Sequence, residues 1–141
     1  MSILRTGAHP RVPVIASLVR IITGVLFVYF GIPKFTDHAG WVAGFGTFGL
    51  PESSLLVYAT GAVEVLGGIA LAVAAGGAVG TRIVAGVLAL TMVGATVFGG
   101  LVGGSTESLV LAPALLLACG VVAWTTAGPA QRSTQRRRSI S

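Results

Sequence analysis

Four apolar segments, each long enough to cross a lipid bilayer as an α-helix, constrain this sequence more than any other feature. They cover about residues 12–35, 54–75, 81–99 and 108–125. A helix needs about 20 apolar residues to cross the hydrocarbon core, and the connecting segments are too short to hold a separate soluble domain. The sequence therefore predicts an all-α protein, a transmembrane four-helix bundle of up-down topology that forms a single domain over residues 1–128.

The charge content supports a membrane protein. Charged residues make up 9% of the chain and the mean hydropathy is +0.92, whereas a soluble domain carries roughly 25% charged residues. We therefore expect any chemistry to lie within or beside the bilayer. Because the net charge of +5 comes mainly from the two ends of the chain, we expect contact with anionic membrane lipids and no binding of nucleic acid.

The distribution of charge between the connecting segments predicts the orientation. Four spans place both termini on one side, together with most of the arginines: Arg5, Arg11, Arg82, Arg132, Arg136, Arg137 and Arg138. The other side carries Lys34 with the acidic residues Asp37, Glu52 and Glu107. Since basic residues favour the cytoplasmic side, both termini are expected in the cytoplasm, and residues 129–141 are expected to form a basic, mobile cytoplasmic tail.

One face of the first apolar segment combines cations with small residues. Arg20, Gly24, Phe27, Gly31 and Lys34 follow one another in steps of four, three, four and three residues. This spacing places them on one narrow face of a helix. Apolar side chains occupy the other faces, so we expect the charged, glycine-containing face to pack against other helices.

Glu64 lies near the middle of the second apolar segment. A carboxylate at that depth costs on the order of 2.5 kcal/mol or more and should be protonated or paired. Gly67 and Gly68 follow it, and small residues let two membrane helices approach closely. We therefore expect the first two helices to touch here. Glu64 has two interpretations, a buried acid that holds the helices in register and a catalytic group that exchanges a proton, and the sequence favours the first.

The sequence leaves open which cation pairs with Glu64. With the two helices antiparallel and centred, Arg20 lies ~9 Å from Glu64 along the axis and Lys34 ~12 Å. Distance therefore favours Arg20. Helical side chains lean towards their own N-terminus, however, which brings Lys34 and Glu64 together, whereas Arg20 could extend to the lipid headgroups. Arg20, Lys34 and Glu64 are thus the candidates for a buried ion pair or a ligand site.

The segment between the first two spans, residues 36–53, carries aromatic residues between glycines. This composition is typical of an interfacial segment, such as a short helix that lies flat on the membrane. We interpret its aromatic residues as interfacial anchors, not as a lid over a substrate, and expect His38 to face solvent. In the third span, Thr91, Met92 and Thr96 could line a cavity, although threonines in helices commonly bond to their own backbone.

The charged residues and glycines of the first three spans together resemble those of a known family. The first-span pattern from Arg20 to Lys34, then Glu64 followed by Gly67 and Gly68, and Arg82 at the start of the third span are similar to those of the DoxX family. The likeness covers about residues 14–99. It implies a small four-helix protein of a bacterial plasma (inner) membrane. In some members such a subunit belongs to a quinone-linked oxidoreductase that takes electrons from reduced sulfur compounds, and others are linked to redox stress.

The resemblance leaves two classes of function open. The chain has no Cys-x-x-Cys, haem-attachment or Gly-x-Gly-x-x-Gly motif, so we expect no metal site and no redox cofactor bound by this chain alone. In the first class, the chain anchors a redox complex and supplies a quinone pocket, with Glu64 exchanging a proton, Arg20 or Lys34 binding a quinone oxygen, and a protein partner carrying the redox centre. The alternative is a non-enzymatic scaffold or a binding protein for lipid or another small apolar molecule. Because glycine-rich surfaces let membrane helices pack closely, we also expect that the chain can form a homo-oligomer.

Overall fold

The structure is a computed structural model that describes residues 11–126. Within these residues the chain is helical and contains no strand. Six α-helices and one π-helical segment follow one another: α1 Arg11–Gly31, α2 Pro33–Thr36, α3 His38–Thr47, α4 Ser54–Ala72, α5 Gly77–Gly94, the π-helical segment Ala95–Val102, and α6 Thr106–Thr126. The predicted tail, residues 129–141, and the basic residues before Arg11 lie outside the described residues.

Four helical stretches are long and apolar enough to cross a membrane: Val14–Thr36, Ser54–Ala72, Gly77–Val102 and Thr106–Thr126. The all-α class and the four spans are thus confirmed. The boundaries differ most in the third span, which begins four residues before the predicted start at residue 81 and continues three residues beyond residue 99. The three additional residues at its C-terminal end belong to the π-helical segment, which continues the helix beyond the end of α5 at Gly94.

The four spans pack as a ring. α1 packs on α4, α4 on α5, α5 on α6, and α6 on α1, and the contact between α1 and α4 is the most extensive of these. Phe27 of α1, Leu71 of α4, Leu88 of α5 and Leu115 of α6 meet in the central core. Large apolar side chains on the outer faces, such as Leu117 at 71% exposure, remain uncovered by the protein. An apolar surface of this kind is suited to lipid, because lipid chains offer no penalty to exposed hydrocarbon.

Local sequence explains where the helices break and turn. Pro33 has no backbone N–H, so α1 ends at Gly31 and the short helix α2 starts with Pro33 at its N-terminus. The Ser53 hydroxyl accepts a hydrogen bond from the Leu56 N–H at 3.4 Å and caps α4. After α4, Gly76 adopts a positive φ of 73°, a conformation that glycine adopts without strain. This tight turn makes α4 and α5 antiparallel neighbours.

The segment that the sequence predicts to be interfacial forms α3, His38–Thr47, which packs against α4 and α2. The predicted short helix between the first two spans is therefore present in the structure. Its Phe45 is buried, whereas Ala39, Gly40 and Ala43 are exposed. One side of α3 thus covers the end of the bundle at which Lys34 lies.

Candidate functional site

The contact between α1 and α4 depends on two facing glycines. A Cβ atom added to Gly24 would lie 2.5 Å from the Gly68 carbonyl oxygen, and one added to Gly68 would lie 2.5 Å from the Gly24 carbonyl oxygen. Either distance is far inside van der Waals contact, so a side chain at either position would push the backbones apart. Phe27, one turn along α1, is fully buried. The face of α1 that combines glycines with cations is thus the face that packs on α4.

A second pair of glycines lies near the charged end of this contact. A Cβ at Gly31 would come within 3.0 Å of the Glu64 Cβ, and one at Gly61 within 3.0 Å of the Lys34 Cβ. Each glycine therefore makes room for the side chain of the opposite helix. The two close approaches allow Lys34 and Glu64 to meet between α2 and α4.

Lys34 and Glu64 form the one ion pair within residues 11–126. The Lys34 Nζ atom donates to Glu64 Oε2 at 2.6 Å. Both residues are buried, with 6% of Lys34 and 4% of Glu64 exposed. The same ammonium lies 3.5 Å from the Phe30 carbonyl oxygen and 4.3 Å from the centre of the Trp41 ring. A carboxylate, a carbonyl and an aromatic face thus surround the ammonium, which compensates for its removal from water.

Arg20 does not contact Glu64. Its Nη1 atom donates to the Leu71 carbonyl oxygen at 2.6 Å and to the Ala72 carbonyl oxygen. These residues end α4, where the last four carbonyl groups lack partners within the helix. A cation is also favoured there by the helix dipole. Of the two candidate cations, the structure therefore pairs Lys34 with Glu64 and places Arg20 at the C-terminus of α4.

The two consecutive glycines of α4 face different helices. Gly68 faces Gly24 of α1, whereas a Cβ at Gly67 would lie 2.9 Å from Leu88 Cδ2 of α5. The expectation that both glycines serve the contact with α1 is therefore wrong for Gly67. Successive residues of a helix differ by 100° in direction, and the sequence did not indicate which of them would face α1.

A cavity of about 670 Å³ adjoins the ion pair. It lies between the α1–α4 side and the α5–α6 side of the bundle, and Lys34 and Glu64 form part of its wall. Most of the lining is apolar, with a group of aromatic residues: Tyr29, Phe30, Trp41, Phe45, Phe48 and Phe98. Hydroxyl groups and one further carboxylate complete the wall: Thr60, Thr91, Ser105, Ser108 and Glu107. An apolar cavity with a few polar groups is the usual form of a small-molecule site.

The π-helical segment shapes one wall of this cavity. Ala95, Phe98 and Gly99 line it, and Gly99 packs closely on Ser108 of α6. A π-helix widens the turn and is frequent at functional sites. Of the three residues of the third span that could line a cavity, Thr91 and Met92 do so. Both threonine hydroxyls bond to their own helix backbone, Thr91 to the Val87 carbonyl oxygen at 3.1 Å and Thr96 to the Met92 carbonyl oxygen at 2.8 Å.

His38 does not face solvent, contrary to expectation. Its ring stacks on the Tyr58 ring with centroids 3.8 Å apart, and its Nδ1 atom lies 3.1 Å from the Lys34 carbonyl oxygen. The break between α2 and α3 turns His38 back onto α4, which the sequence does not reveal. Within residues 11–126, its buried Nε2 atom has no hydrogen-bond partner.

Sequence reasoning missed two residues of the site. Thr60 lies one turn before Glu64 on the same face of α4 and lines the cavity, so the spacing of four residues could have indicated it. Trp41 follows Lys34 by seven residues, a spacing of two helical turns. Because the chain breaks at Asp37 between α2 and α3, the two residues belong to different helices. A spacing of seven residues therefore does not predict that they share a face.

The ion pair and the aromatic residues together provide an acid or base, a hydrogen-bond donor and an aromatic wall within one cavity. The ammonium of Lys34 can donate to an oxygen of a ligand, and the Glu64 carboxyl can exchange a proton with it. Among the described residues, no group of three or more His, Cys, Asp or Glu side chains lies together as a metal site would require. A largely apolar, aromatic lining beside one ion pair favours a neutral organic ligand with a polar atom near that pair.

Comparisons with known proteins agree with this membrane architecture. The DoxX family model matches residues 15–101. A protein of Bacillus subtilis (strain 168), named "Putative oxidoreductase CatD", is 38% identical over 80 residues, which are 57% of this chain and 55% of that protein. The chain thus spans about half the length of this relative. No solved structure matches the chain.

Proposed function

Because the chain belongs to the DoxX family, we propose that it is a membrane subunit of a redox complex and that its cavity binds the ring of a quinone. The observation that carries this proposal is the contact between Lys34 and Glu64, a buried ion pair in the wall of an aromatic-lined cavity. A similar protein of Bacillus subtilis bears the name of an oxidoreductase, which supports the class of reaction.

The cavity has the size and polarity that a quinone ring requires. Its volume of about 670 Å³ falls within the range of roughly 300 to 1,000 Å³ for small-molecule sites. A quinone carbonyl oxygen accepts hydrogen bonds, and the Lys34 ammonium is a donor held in the cavity wall. The flat ring of a quinone also suits the aromatic side chains around it, since offset stacking and edge contacts between rings are favourable.

The two charged residues have separate roles in this proposal. Lys34 binds a carbonyl oxygen and stabilises the negative charge that develops there on reduction. Glu64 supplies or takes up a proton within 2.6 Å of the same ammonium. Full reduction of a quinone takes two electrons and two protons, and Glu64, which returns to the carboxylate after each transfer, relays the two protons in turn from water at the membrane surface. The electrons come from a protein partner that carries a redox centre, with a reduced sulfur compound such as thiosulfate or sulfide as the donor.

The proposed location is a bacterial plasma membrane with both termini in the cytoplasm. Arg82 lies in the second turn of the third span, at the end of the bundle where residues 11 and 126 lie, whereas Lys34, Asp37 and Glu107 lie at the opposite end. Positive residues favour the cytoplasmic side, so the cavity would lie towards the outer surface. Single cysteines introduced at Arg82 and at Asp37, in a Cys119→Ser background, test this orientation. A membrane-impermeant thiol reagent should label intact cells only at position 37, and labelling only at position 82 would contradict it.

A matched pair of ligands tests the quinone site. Purified protein in lipid nanodiscs is dialysed against decyl-benzoquinone and, separately, against decylbenzene, which has the same tail but no carbonyl oxygen. We expect tighter binding of the quinone. This preference should fall about tenfold or more in Lys34→Met and in Glu64→Gln, because a hydrogen bond to a charged donor contributes about 1.5 to 3 kcal/mol. The exposed Arg82 and Glu52 provide the controls Arg82→Met and Glu52→Gln, which should keep the preference.

The alternative function predicts a different result. If the chain is a scaffold or a protein that binds lipid or another apolar molecule, the two ligands will bind equally and the charge substitutions will leave that equality unchanged. Reduction of quinone by thiosulfate or sulfide is then measured with co-purified partners. Donor-dependent reduction that Glu64→Gln slows would support the redox complex, and its absence with every co-purified partner would contradict that part of the proposal.

A further inference from the structure

The interfacial helix α3 reaches the ion pair through one side chain. Trp41 places its ring 4.3 Å from the Lys34 Nζ atom and also lines the cavity. The next turn of α3 supplies Phe45, which meets the Trp41 ring edge-on with interplanar angle 85°. Trp41 thus lies between the ammonium and the rest of α3, in contact with both.

The three contacts of the ammonium are unequal. The Glu64 carboxylate at 2.6 Å is a short, charge-assisted bond, and the indole is the aromatic ring that binds cations best. The Phe30 carbonyl oxygen, at 3.5 Å, is at the outer limit of a hydrogen bond. A ligand oxygen that approaches the ammonium would therefore replace the Phe30 carbonyl, while Glu64 and Trp41 keep the nitrogen in place.

We infer that Trp41 is a positioning residue of the cavity: by binding the ammonium through its ring face, it holds Lys34 at the angle from which it donates to a carbonyl oxygen on a flat ring. This inference rests on the proposed quinone site and adds a specificity determinant to it. Lysine carries a flexible stem of four carbons. Without the indole, the ammonium would keep its bond to Glu64 but would sample several directions, and a carbonyl ligand would bind less tightly.

A tryptophan at a membrane interface has a simpler explanation, which is anchoring in the headgroup region. The two explanations differ in which property of the ring matters. Anchoring depends on the size and amphipathic shape of the indole, whereas positioning of Lys34 depends on the negative charge density over the ring face. Fluorination of the indole removes that charge density and leaves its shape almost unchanged.

Fluorinated tryptophans test the inference at this one position. The chain has two tryptophans, and Trp124, at 84% exposure, can be replaced by Phe. In the Trp124→Phe protein, mono-, di-, tri- and tetrafluorotryptophan are incorporated at position 41 in a tryptophan auxotroph. Dissociation constants for decyl-benzoquinone and for decylbenzene are then measured by dialysis in nanodiscs. Trp41→Phe and Trp41→Leu extend the series with a weaker aromatic face and with none.

We expect the dissociation constant of the quinone to rise with each fluorine, to about tenfold for the tetrafluoro ring, while that of decylbenzene stays constant. Trp41→Phe should retain part of the affinity that Trp41→Leu loses. If the unsubstituted protein prefers the quinone but fluorination leaves both constants unchanged, Trp41 is an anchor and the inference is wrong. If the unsubstituted protein shows no preference for the quinone, the proposed quinone site fails, and this inference fails with it.

Discussion

The two ends of the contact between the first span and α4 each use a cation of the first span, with different results. Arg20 and Lys34 lie on one face of the first span, ~21 Å apart along the helix axis. At one end, Arg20 donates to the carbonyl oxygens of Leu71 and Ala72. At the other, Lys34 donates to the Glu64 carboxylate beside a cavity.

The partner on α4 determines this difference. Arg20 lies opposite the end of α4, where backbone carbonyls lack helical partners. It therefore donates to carbonyl groups of a kind that every helix C-terminus offers. Lys34 lies opposite the interior of α4, where backbone groups are already bonded, so the partner that α4 supplies to its charge is the Glu64 side chain. The first contact therefore needs no particular side chain on α4, whereas the second depends on one carboxylate. This contrast identifies the Lys34 end as the candidate functional site and the Arg20 end as structural.

Loss of one member of the ion pair should have the largest effect on the free energy of unfolding. Lys34→Met leaves Glu64 buried without its counter-charge, and we expect the free energy of unfolding to fall by about 3 kcal/mol or more. Glu64→Gln should have a similar effect through Lys34. The double variant Lys34→Met with Glu64→Met should recover most of the loss, because it leaves neither charge behind. Steric trapping in bicelles measures the free energy of unfolding of all three variants. If the loss in the double variant equals the sum of the two single losses, the pairing of Lys34 with Glu64 is contradicted.

The glycine contact between the two ends should give the next largest effect. In Gly24→Ala the new Cβ would meet the Gly68 carbonyl oxygen at 2.5 Å and the Ala72 nitrogen at 2.8 Å. Both are backbone atoms, so the helices must separate, and we expect a loss of about 2 kcal/mol. Gly86→Ala is the control, since nothing lies within 4 Å of that position. Equal effects of the two substitutions on thermal unfolding would show that α1 and α4 are not in close contact.

Removal of the second cation should have a smaller effect and no effect on ligand binding. Arg20→Met loses the bonds to the two terminal carbonyl groups, and we expect a decrease of about 1 kcal/mol in the free energy of unfolding because water or headgroups can replace part of them. Arg20→Lys should restore some of it. The preference for decyl-benzoquinone over decylbenzene should remain as in the unsubstituted protein. A loss of that preference in Arg20→Met would place Arg20 in the ligand site and remove the contrast.

The smallest effect distinguishes the two glycines of α4. A Cβ at Gly67 meets Leu88 Cδ2 of the core, and because the higher helix propensity of alanine offsets much of this overpacking, Gly67→Ala should change the free energy of unfolding by no more than about 0.5 kcal/mol. Gly68→Ala meets the Gly24 backbone and should resemble Gly24→Ala. If Gly67→Ala is the more damaging of the two, the rotation of α4 in the bundle is wrong.

Sequence patterns predicted the helical spans and the face of α1 from simple physical rules. The lengths of the apolar segments follow from bilayer thickness, and the recurrence of Arg20, Gly24, Phe27, Gly31 and Lys34 follows from the helical repeat. Residues 15–101 match the DoxX family, which confirms the resemblance drawn from those positions. These features depend on single helices, whose geometry the local sequence determines.

Features that depend on two or more elements could not be predicted in the same way. The partner of Glu64 stayed open because the axial register of two helices follows from packing, here from the contact of Gly24 with Gly68. The position of His38 on Tyr58 follows from the break between α2 and α3. The π-helical segment, which helps to form the cavity, has no distinct residue pattern. The wall of the cavity therefore emerges only when the spans are assembled.

Photoaffinity labelling with an azido-substituted decyl-quinone tests most directly whether the cavity at the ion pair is a quinone site. The protein in nanodiscs is irradiated with the probe, with and without excess decyl-benzoquinone, and the labelled residues are identified by mass spectrometry. We expect labelling at cavity residues such as Trp41, Phe45 and Thr60, suppressed by the competitor and weakened in Lys34→Met. Labelling confined to outward-facing residues such as Ile83 and Leu117, and insensitive to the competitor, would show that this cavity is not a quinone site.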